Sequence, residues 1–388
     1  MKQDKNHIDL ATFVAVMTLL VMSLGVVYSA SSTWMLEKWG ESGRLLGSHA
    51  LKVLVGFAAL FLFMQIDYHK YRRLTKPLLL VSLLLLAVTL AVGGEVKGAT
   101  RWLRIWAFGI QPSELAKYAL IFHLSVLLAV KKEQIKDFTT GFLPMMFWIG
   151  AVTVLVLVQP NFSTGAMIFA ISMLLLYLGR AKVSHLALTF AALVPLLLLF
   201  MVSKPYRMQR ILSYLEDGSA QTNHQLTQGI IGFGNGGLIG LGPGGSRQRD
   251  LFLPESYGDF VFSIVGEEYG LVGTLFIVLL FLTIMVRGMK IARHATDDLG
   301  RGLALGITCS ITLYALVNAG VTIGLLPTTG LPMPFVSYGG TSIVLSCSAI
   351  GALLNISMQT DLHPRVRGAP EGVRPLDPVQ LPEVGKVY

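Results

Sequence analysis

The chain has 388 residues and a formal charge of +9, yet 53% of its residues are hydrophobic and only 14% are charged. With a positive mean hydropathy this is the profile of a membrane protein, not of an ordinary soluble enzyme. Its two cysteines, Cys309 and Cys347, both fall in apolar runs, which excludes a disulfide framework and a CxxC metal site.

A bilayer-spanning helix needs ~20 mostly apolar residues, and ten runs qualify or nearly qualify. The first, Leu10 to Ala30, follows the basic Lys2 and Lys5 and ends in the small residues of YSASS. It is too long for a signal peptide and reads as an uncleaved helix. The others are His49 to Ile66, Pro77 to Val92, Pro112 to Val130, Gly141 to Val158, Phe162 to Leu178, Ser184 to Val202, Asp259 to Val286, Gly302 to Leu325 and Phe335 to Met358. The expected fold is therefore an all-α polytopic membrane protein with ten transmembrane helices. The boundaries are an N-terminus of residues 1–8, a membrane domain of residues 9–358 with a large loop at residues 203–258, and a tail of residues 359–388 rich in Pro, Gly and Val, expected to be disordered.

Lysine and arginine set the orientation. Under a ten-span count one side collects Lys2 and Lys5, the Lys70 to Lys76 group, Lys131, Lys132 and Lys136, Arg180 and Lys182, the Arg287 to Arg301 group, and the basic residues of the tail. That side is the cytoplasm, so both termini are inside and the loop at residues 203–258 is external. The basic residues are spread over loops and not gathered on one face, which gives no reason to invoke nucleic acid.

The polar motifs share the external side. In TRWLRIWAFGIQPSELAKY (residues 100–118), Pro112 and Glu114 suit the first turn of a helix. Lys117 lies one turn deeper, where it can pair with Glu114, and a lysine in lipid must face protein or water. Arg101 and Trp102 read either as an interfacial anchor or as a grip on an anionic headgroup and a sugar face. In QPNFSTG (residues 159–165), Asn161 or Ser163 is expected to cap the sixth helix. Arg207 and Arg210 stand three apart on a short amphipathic helix, either snorkelling or binding a lipid phosphate.

GIIGFGNGGLIGLGPGGSRQ (residues 229–248) contains a formal G-x-G-x-x-G, but no strand precedes it and no GK[ST] follows, which rules out nucleotide binding. What remains is either a flexible linker or a backbone able to turn sharply and approach a ligand, with Arg247 beside it. In LPESYGDFVFSIVGEEYG (residues 253–270), Glu255 lies in the turn and Asp259 at the outer mouth of the eighth helix. Asp259 reads as an N-cap or as a general base. Glu267 and Glu268, ~10 Å deeper, are placed to hold the bundle together, with Lys117 or another buried donor as partner. LLPTTGLPMPFVSYGGTS (residues 325–342) forbids a regular helix and predicts a re-entrant or tightly folded segment, with Ser337 and Tyr338 offering hydroxyls.

In order and spacing these motifs resemble those of the shape, elongation, division and sporulation (SEDS) family, from about Asp9 to Met358. The resemblance implies a ten-helix inverting glycosyltransferase that polymerises lipid II into peptidoglycan in the bacterial cytoplasmic membrane, with a class B penicillin-binding protein as transpeptidase partner and divisome or elongasome proteins around it. The family's essential acid falls on Asp259, its basic residue on Lys117 and its RW pair on Arg101 and Trp102. Where QPD-x-G-T is usual, this chain has Asn161 and Ser163; an Asn cannot act as a base, so the acid chemistry rests on Asp259.

Under that reading Asp259 takes the proton of a GlcNAc 4-hydroxyl as it attacks the anomeric carbon of MurNAc, inverting it to a β-1,4 bond. Some of Arg101, Lys117, Arg207, Arg210 and Arg247 then surround the departing diphosphate, with Glu255, Ser337 and Tyr338 also candidates for binding substrate. A divalent cation could share the task, although the sequence holds no metal-ligand cluster. The motifs favour a division-type member over an elongation-type one. The rival classes are a lipid II flippase and a non-catalytic scaffold.

Overall fold

The computed structural model describes residues 7–92, 102–105, 108–202, 224–249, 253 and 256–362. Its helices are α1 (Leu10–Trp39), α2 (Arg44–Gln65), α3 (Tyr71–Val92), α4 (Pro112–Lys131), α5 (Leu143–Val158), α6 (Phe162–Leu178), α7 (Val183–Val202), α8 (His224–Gly236), α9 (Val261–Arg293), α10 (Asp298–Thr322) and α11 (Gly340–Ser357). All ten apolar runs become helices. Among the described residues eight are long and apolar enough to cross a membrane, and α6 and the described part of α7 are apolar but shorter.

Of the boundaries that differ from the sequence expectation, three lie at the end that carries Asp259. Helix α1 continues to Trp39, because nothing breaks it before Gly40, which closes it in the left-handed region at φ 72°. Helix α9 starts at Val261, after Asp259, and α11 starts at Gly340, because Pro332, Pro334 and Gly339 keep the preceding segment irregular. Residues expected to be wholly loop also hold an antiparallel hairpin, β1 (Leu103–Ile105) with β2 (Phe108–Ile110), the one departure from an all-helical chain among the described residues.

Short connections join α1 to α2, α5 to α6 and α9 to α10. Helices α4 and α10 are central, with 78% and 72% of their most apolar windows buried, against 22% for α2 and 28% for α9. The outer helices turn apolar side chains such as Leu54, Leu84 and Val272 outward, as a surface facing lipid does. Helices α2 and α11 come together where Gly351 removes a side chain: a Cβ there would lie 3.0 Å from Phe63 Cβ and closer still to the Leu60 carbonyl, the small-residue contact that lets membrane helices approach.

The two ends of the bundle are built differently. At the end where α1 begins, acids close the helix starts. The Asp9 carboxylate accepts from Thr12 N at 2.9 Å and from Arg287 Nε of α9 at 2.9 Å, while its own N–H donates to Ser357 Oγ of α11 at 3.1 Å. One residue thus fastens three helices. Asp67, Asp137 and Asp297 likewise accept from the backbone N–H groups of His69, Thr139 and Gly300. At the opposite end the residues ahead of α2, α4, α6, α9 and α11 are Gly43, Gln111, Asn161, Phe260 and Gly339, and no side chain caps any of these helices.

Helix α9 is broken at Gly270, whose φ of 63° and ψ of −160° leave the helical region. A break inside a membrane protein requires new partners for the freed backbone groups, and the glycine-rich segment supplies them. Leu241 N and Gly242 N donate to the Glu267 and Glu268 carbonyls at 2.9 and 3.0 Å, and Leu271 N and Val272 N donate to the Gly237 and Leu238 carbonyls at 2.9 and 3.2 Å. The segment expected as a linker is therefore helix α8 followed by a strip exchanged into the ladder of α9. What its backbone approaches closely is this helix.

Candidate active site

Asp259 stands two residues ahead of α9, half-buried at the uncapped end of the bundle. It is not the N-cap; Phe260 occupies that position. The backbone of Asp259 is fixed by Asn318 of α10, whose buried amide donates to the Asp259 and Leu331 carbonyls, both at 2.7 Å. This joins the start of α9 to the irregular segment ahead of α11. Gly330, at φ 74°, gives the carboxylate room: a Cβ there would lie 3.3 Å from Asp259 Oδ2.

The segment at residues 323–339 is irregular, with its first half half-buried or exposed and Leu331 and residues 333–337 buried. Ser337 is 2% exposed and its hydroxyl accepts from Met333 N at 2.8 Å. Its oxygen closes a turn within the buried part of the segment. Tyr338 is half-buried. Its N–H donates to the Tyr257 carbonyl at 2.9 Å, and the two rings pack edge-on with centroids 5.8 Å apart. Trp34 extends the aromatic wall, 5.9 Å from Tyr257.

The β1–β2 hairpin sits against the start of α11: Thr341 Oγ1 donates to the Gly109 carbonyl and accepts from Gln111 N, both at 3.1 Å. Trp102 packs beside Gly109 of that hairpin. Arg101, Arg207, Arg210 and Glu255 lie outside the described residues. Arg247 is exposed on the glycine-rich strip.

Glu114 and Lys117 pair as their spacing predicts, at 2.9 Å and with each side chain 3% exposed. The Lys117 ammonium lies 4.0 Å from the Tyr314 ring and 4.8 Å from the Tyr118 ring. Tyr314 precedes Asn318 by one helical turn, so the pair lies about 6 Å below the clamp on Asp259. Buried and neutralised, it supports the floor of the site.

Lys117 does not serve Glu267 or Glu268. Glu267 accepts from Asn235 Nδ2 and Gln248 N, each at 3.1 Å, and from the Ser246 hydroxyl. Glu268 accepts from the Ser29 hydroxyl, which in turn accepts from Arg249 Nη1 at 3.0 Å. Both acids do hold the bundle together, but their donors come from α1 and from the glycine-rich strip, which lies against them because of the break at Gly270. Asn161 occupies the N-cap position of α6 without making the side-chain bond, and its Nδ2 is buried without a partner. No capping bond from Ser163 forms either.

Sequence reasoning passed over the roles of Asn318, Tyr257 and Lys52. Lys52 of α2 donates to the Tyr338 hydroxyl at 2.5 Å. An ionisable residue within an apolar run was a signal for Lys52; nothing local marked the other two.

Over residues 10–362 the sequence matches the family described as cell cycle protein, FtsW/RodA/SpoVE. It is 38% identical to the probable peptidoglycan glycosyltransferase FtsW of Geobacter metallireducens, covering 95% of this chain and 98% of the relative. It is 36% identical to the stage V sporulation protein E of Bacillus subtilis, covering 92% and 99%. The fold is similar to a chain of a peptidoglycan synthase complex that coordinates polymerization and crosslinking, with a TM-score of 0.76 at 24% identity over 91% of this chain and 98% of that one. It is also similar to the rod shape determining protein RodA of Thermus thermophilus, with a TM-score of 0.67 at 24% identity and the same coverage. A multi-pass membrane protein, the chain belongs to the FtsW/RodA/SpoVE family of cell cycle proteins.

Proposed function

We propose that the protein is a peptidoglycan glycosyltransferase of the division type, polymerising lipid II into β-1,4 glycan strands at the outer face of the cytoplasmic membrane. The observation that carries this reading is Asp259, a half-buried acid whose backbone carbonyl is held by Asn318 at the uncapped end of the bundle, beside an aromatic wall, in a chain similar along nearly its whole length to proteins named FtsW. On this reading α6 and α7 join the eight long helices as ten spans, and the distribution of lysine and arginine supports both termini being cytoplasmic.

In the reaction Asp259 accepts the proton of the acceptor sugar's 4-hydroxyl as that oxygen attacks the donor's anomeric carbon. The bond to the diphosphate breaks, and the leaving group carries the negative charge away. Tyr257, Trp34 and Trp102 offer ring faces to sugars, while Glu114 and Lys117 hold the floor and touch no reacting atom. The partner is a class B penicillin-binding protein, in keeping with the similarity to a chain of a peptidoglycan synthase complex.

The test is polymerisation of purified lipid II by the solubilised protein with its class B partner, comparing wild type with Asp259→Asn. The variant should lose activity by ~100-fold or more while remaining folded and partner-bound. Equal strand formation by both proteins would remove Asp259 as the base. No strands from wild type, where a known polymerase works, would favour flipping or scaffolding.

A further inference from the structure

Lys52 lies eight residues into α2, about 12 Å along its axis, and is half-buried. Its ammonium donates to the Tyr338 hydroxyl at 2.5 Å and lies 3.9 Å from the centroid of the same ring. Among the described residues no carboxylate pairs with it. The three buried glutamates at this end are engaged elsewhere: Glu114 holds Lys117, and Glu267 and Glu268 hold the glycine-rich strip and Ser29. A cation inside a membrane bundle without a protein counter-ion marks a place where an anion belongs.

Other groups converge on the same place. Gly340, the first residue of α11, lies against the lysine stem; a Cβ there would be 3.4 Å from Lys52 Cε. This 18-residue helix has no side-chain cap, and an open helix start carries about half a positive charge and binds anions. His49, one turn before Lys52, is fully buried with Nε2 3.0 Å from Ser23 Oγ and with Nδ1 lacking a partner. Its ring centre is 5.7 Å from that of Tyr338. The Ser48 hydroxyl is 3.3 Å from the Tyr338 hydroxyl. The group is tied to Asp259 through the backbone, since Tyr338 bonds the Tyr257 carbonyl two residues before the acid.

We infer that Lys52, Tyr338 and the open start of α11 form a phosphate-binding subsite that holds the diphosphate of a polyprenyl-linked substrate; the choice of that diphosphate rests on the polymerase reading. Lys52 takes part in no bond-making. It supplies the countercharge that Lys117, already neutralised, cannot, and Tyr338 aims it. Bulk anionic phospholipid offers the same phosphate chemistry, so the test separates the two sources.

Full-length protein in nanodiscs is titrated with undecaprenyl diphosphate and, separately, with phosphatidylglycerol, for wild type, Lys52→Gln, Lys52→Arg and Tyr338→Phe. Lys52→Gln should weaken undecaprenyl diphosphate binding at least about tenfold, the scale of a lost charge-assisted hydrogen bond, with Lys52→Arg retaining most of it and phosphatidylglycerol binding unchanged. Tyr338→Phe should weaken binding less, and carries the test if Lys52→Gln does not fold. Undiminished undecaprenyl diphosphate binding by both variants would overturn the inference, as would a loss confined to phosphatidylglycerol. Because the readout is binding, a protein that holds the diphosphate through Lys52 but makes no glycan would sink the polymerase reading and leave the subsite standing.

Discussion

The two ends of the bundle use polar residues in opposite ways. At the Asp9 end, aspartates close helix starts and cross-link helices, so that Asp9 alone joins α1, α9 and α11. At the Asp259 end five helix starts have no side-chain cap; Glu114 and Lys117 are buried as a pair, while Lys52 meets a tyrosine hydroxyl and, among the described residues, no carboxylate. One end closes its helix starts with its own side chains; the other leaves five of them open. Leaving helix starts open forgoes ~1 kcal/mol per missing cap, and most of the missing caps lie at the end where chemistry is proposed.

The contrast is broken most severely by removing one partner of the buried pair. Glu114→Gln leaves Lys117 uncompensated among Tyr118 and Tyr314 and should cost ~3–5 kcal/mol, read as a large fall in melting temperature. A melting temperature equal to wild type would mean that the floor of the site is not held by this pair. At the other end Asp9→Ala removes both a cap and the partner of Arg287. It should cost about 1–3 kcal/mol in melting experiments, with Asp259-dependent activity per folded molecule preserved. Gly339→Asp sharpens the comparison by adding the missing cap. Gly339 is extended at φ −163°, and a Cβ there meets only Ser342 Cβ at 3.6 Å. The variant should match or slightly exceed wild-type stability, by up to ~1 kcal/mol, while polymerisation falls several-fold as a carboxylate enters the anion site. Unchanged activity would show that the open start of α11 is not used.

What could be read from the sequence was whatever depends on local pattern. Hydropathy located all ten apolar helices, three-residue spacing predicted the Glu114 to Lys117 pair, and the proline-rich run ahead of α11 was recognised as non-helical. What escaped depends on distant contacts. The Lys52 to Tyr338 bond joins residues 286 apart, and the Asn318 clamp on Asp259 spans 59. The break at Gly270 was invisible because VGEEYGLVG is a respectable helical sequence. Only the exchanged backbone of residues 237–242 makes a left-handed glycine tolerable there. For the same reason Glu267 and Glu268 were expected to hold the bundle together with Lys117 or another buried donor, and the strip that supplies those other donors could not be named.

The break in α9 also fixes a height. Unbroken, its 33 residues would measure about 50 Å, well beyond a hydrocarbon core of about 30 Å. The exposure pattern changes at the break: Val261 to Glu268 are all buried in the bundle, whereas Leu271 and Val272 just below are 49% and 66% exposed. The upper part is thus a pedestal enclosed by protein, and the exposed apolar side chains of this helix begin at Leu271. Asp259 therefore stands more than ~14 Å along the chain axis from the break, a distance set by stitched backbone. A thinner or thicker membrane alters how much of the lower shaft is wetted, but not the distance between the break and the acid.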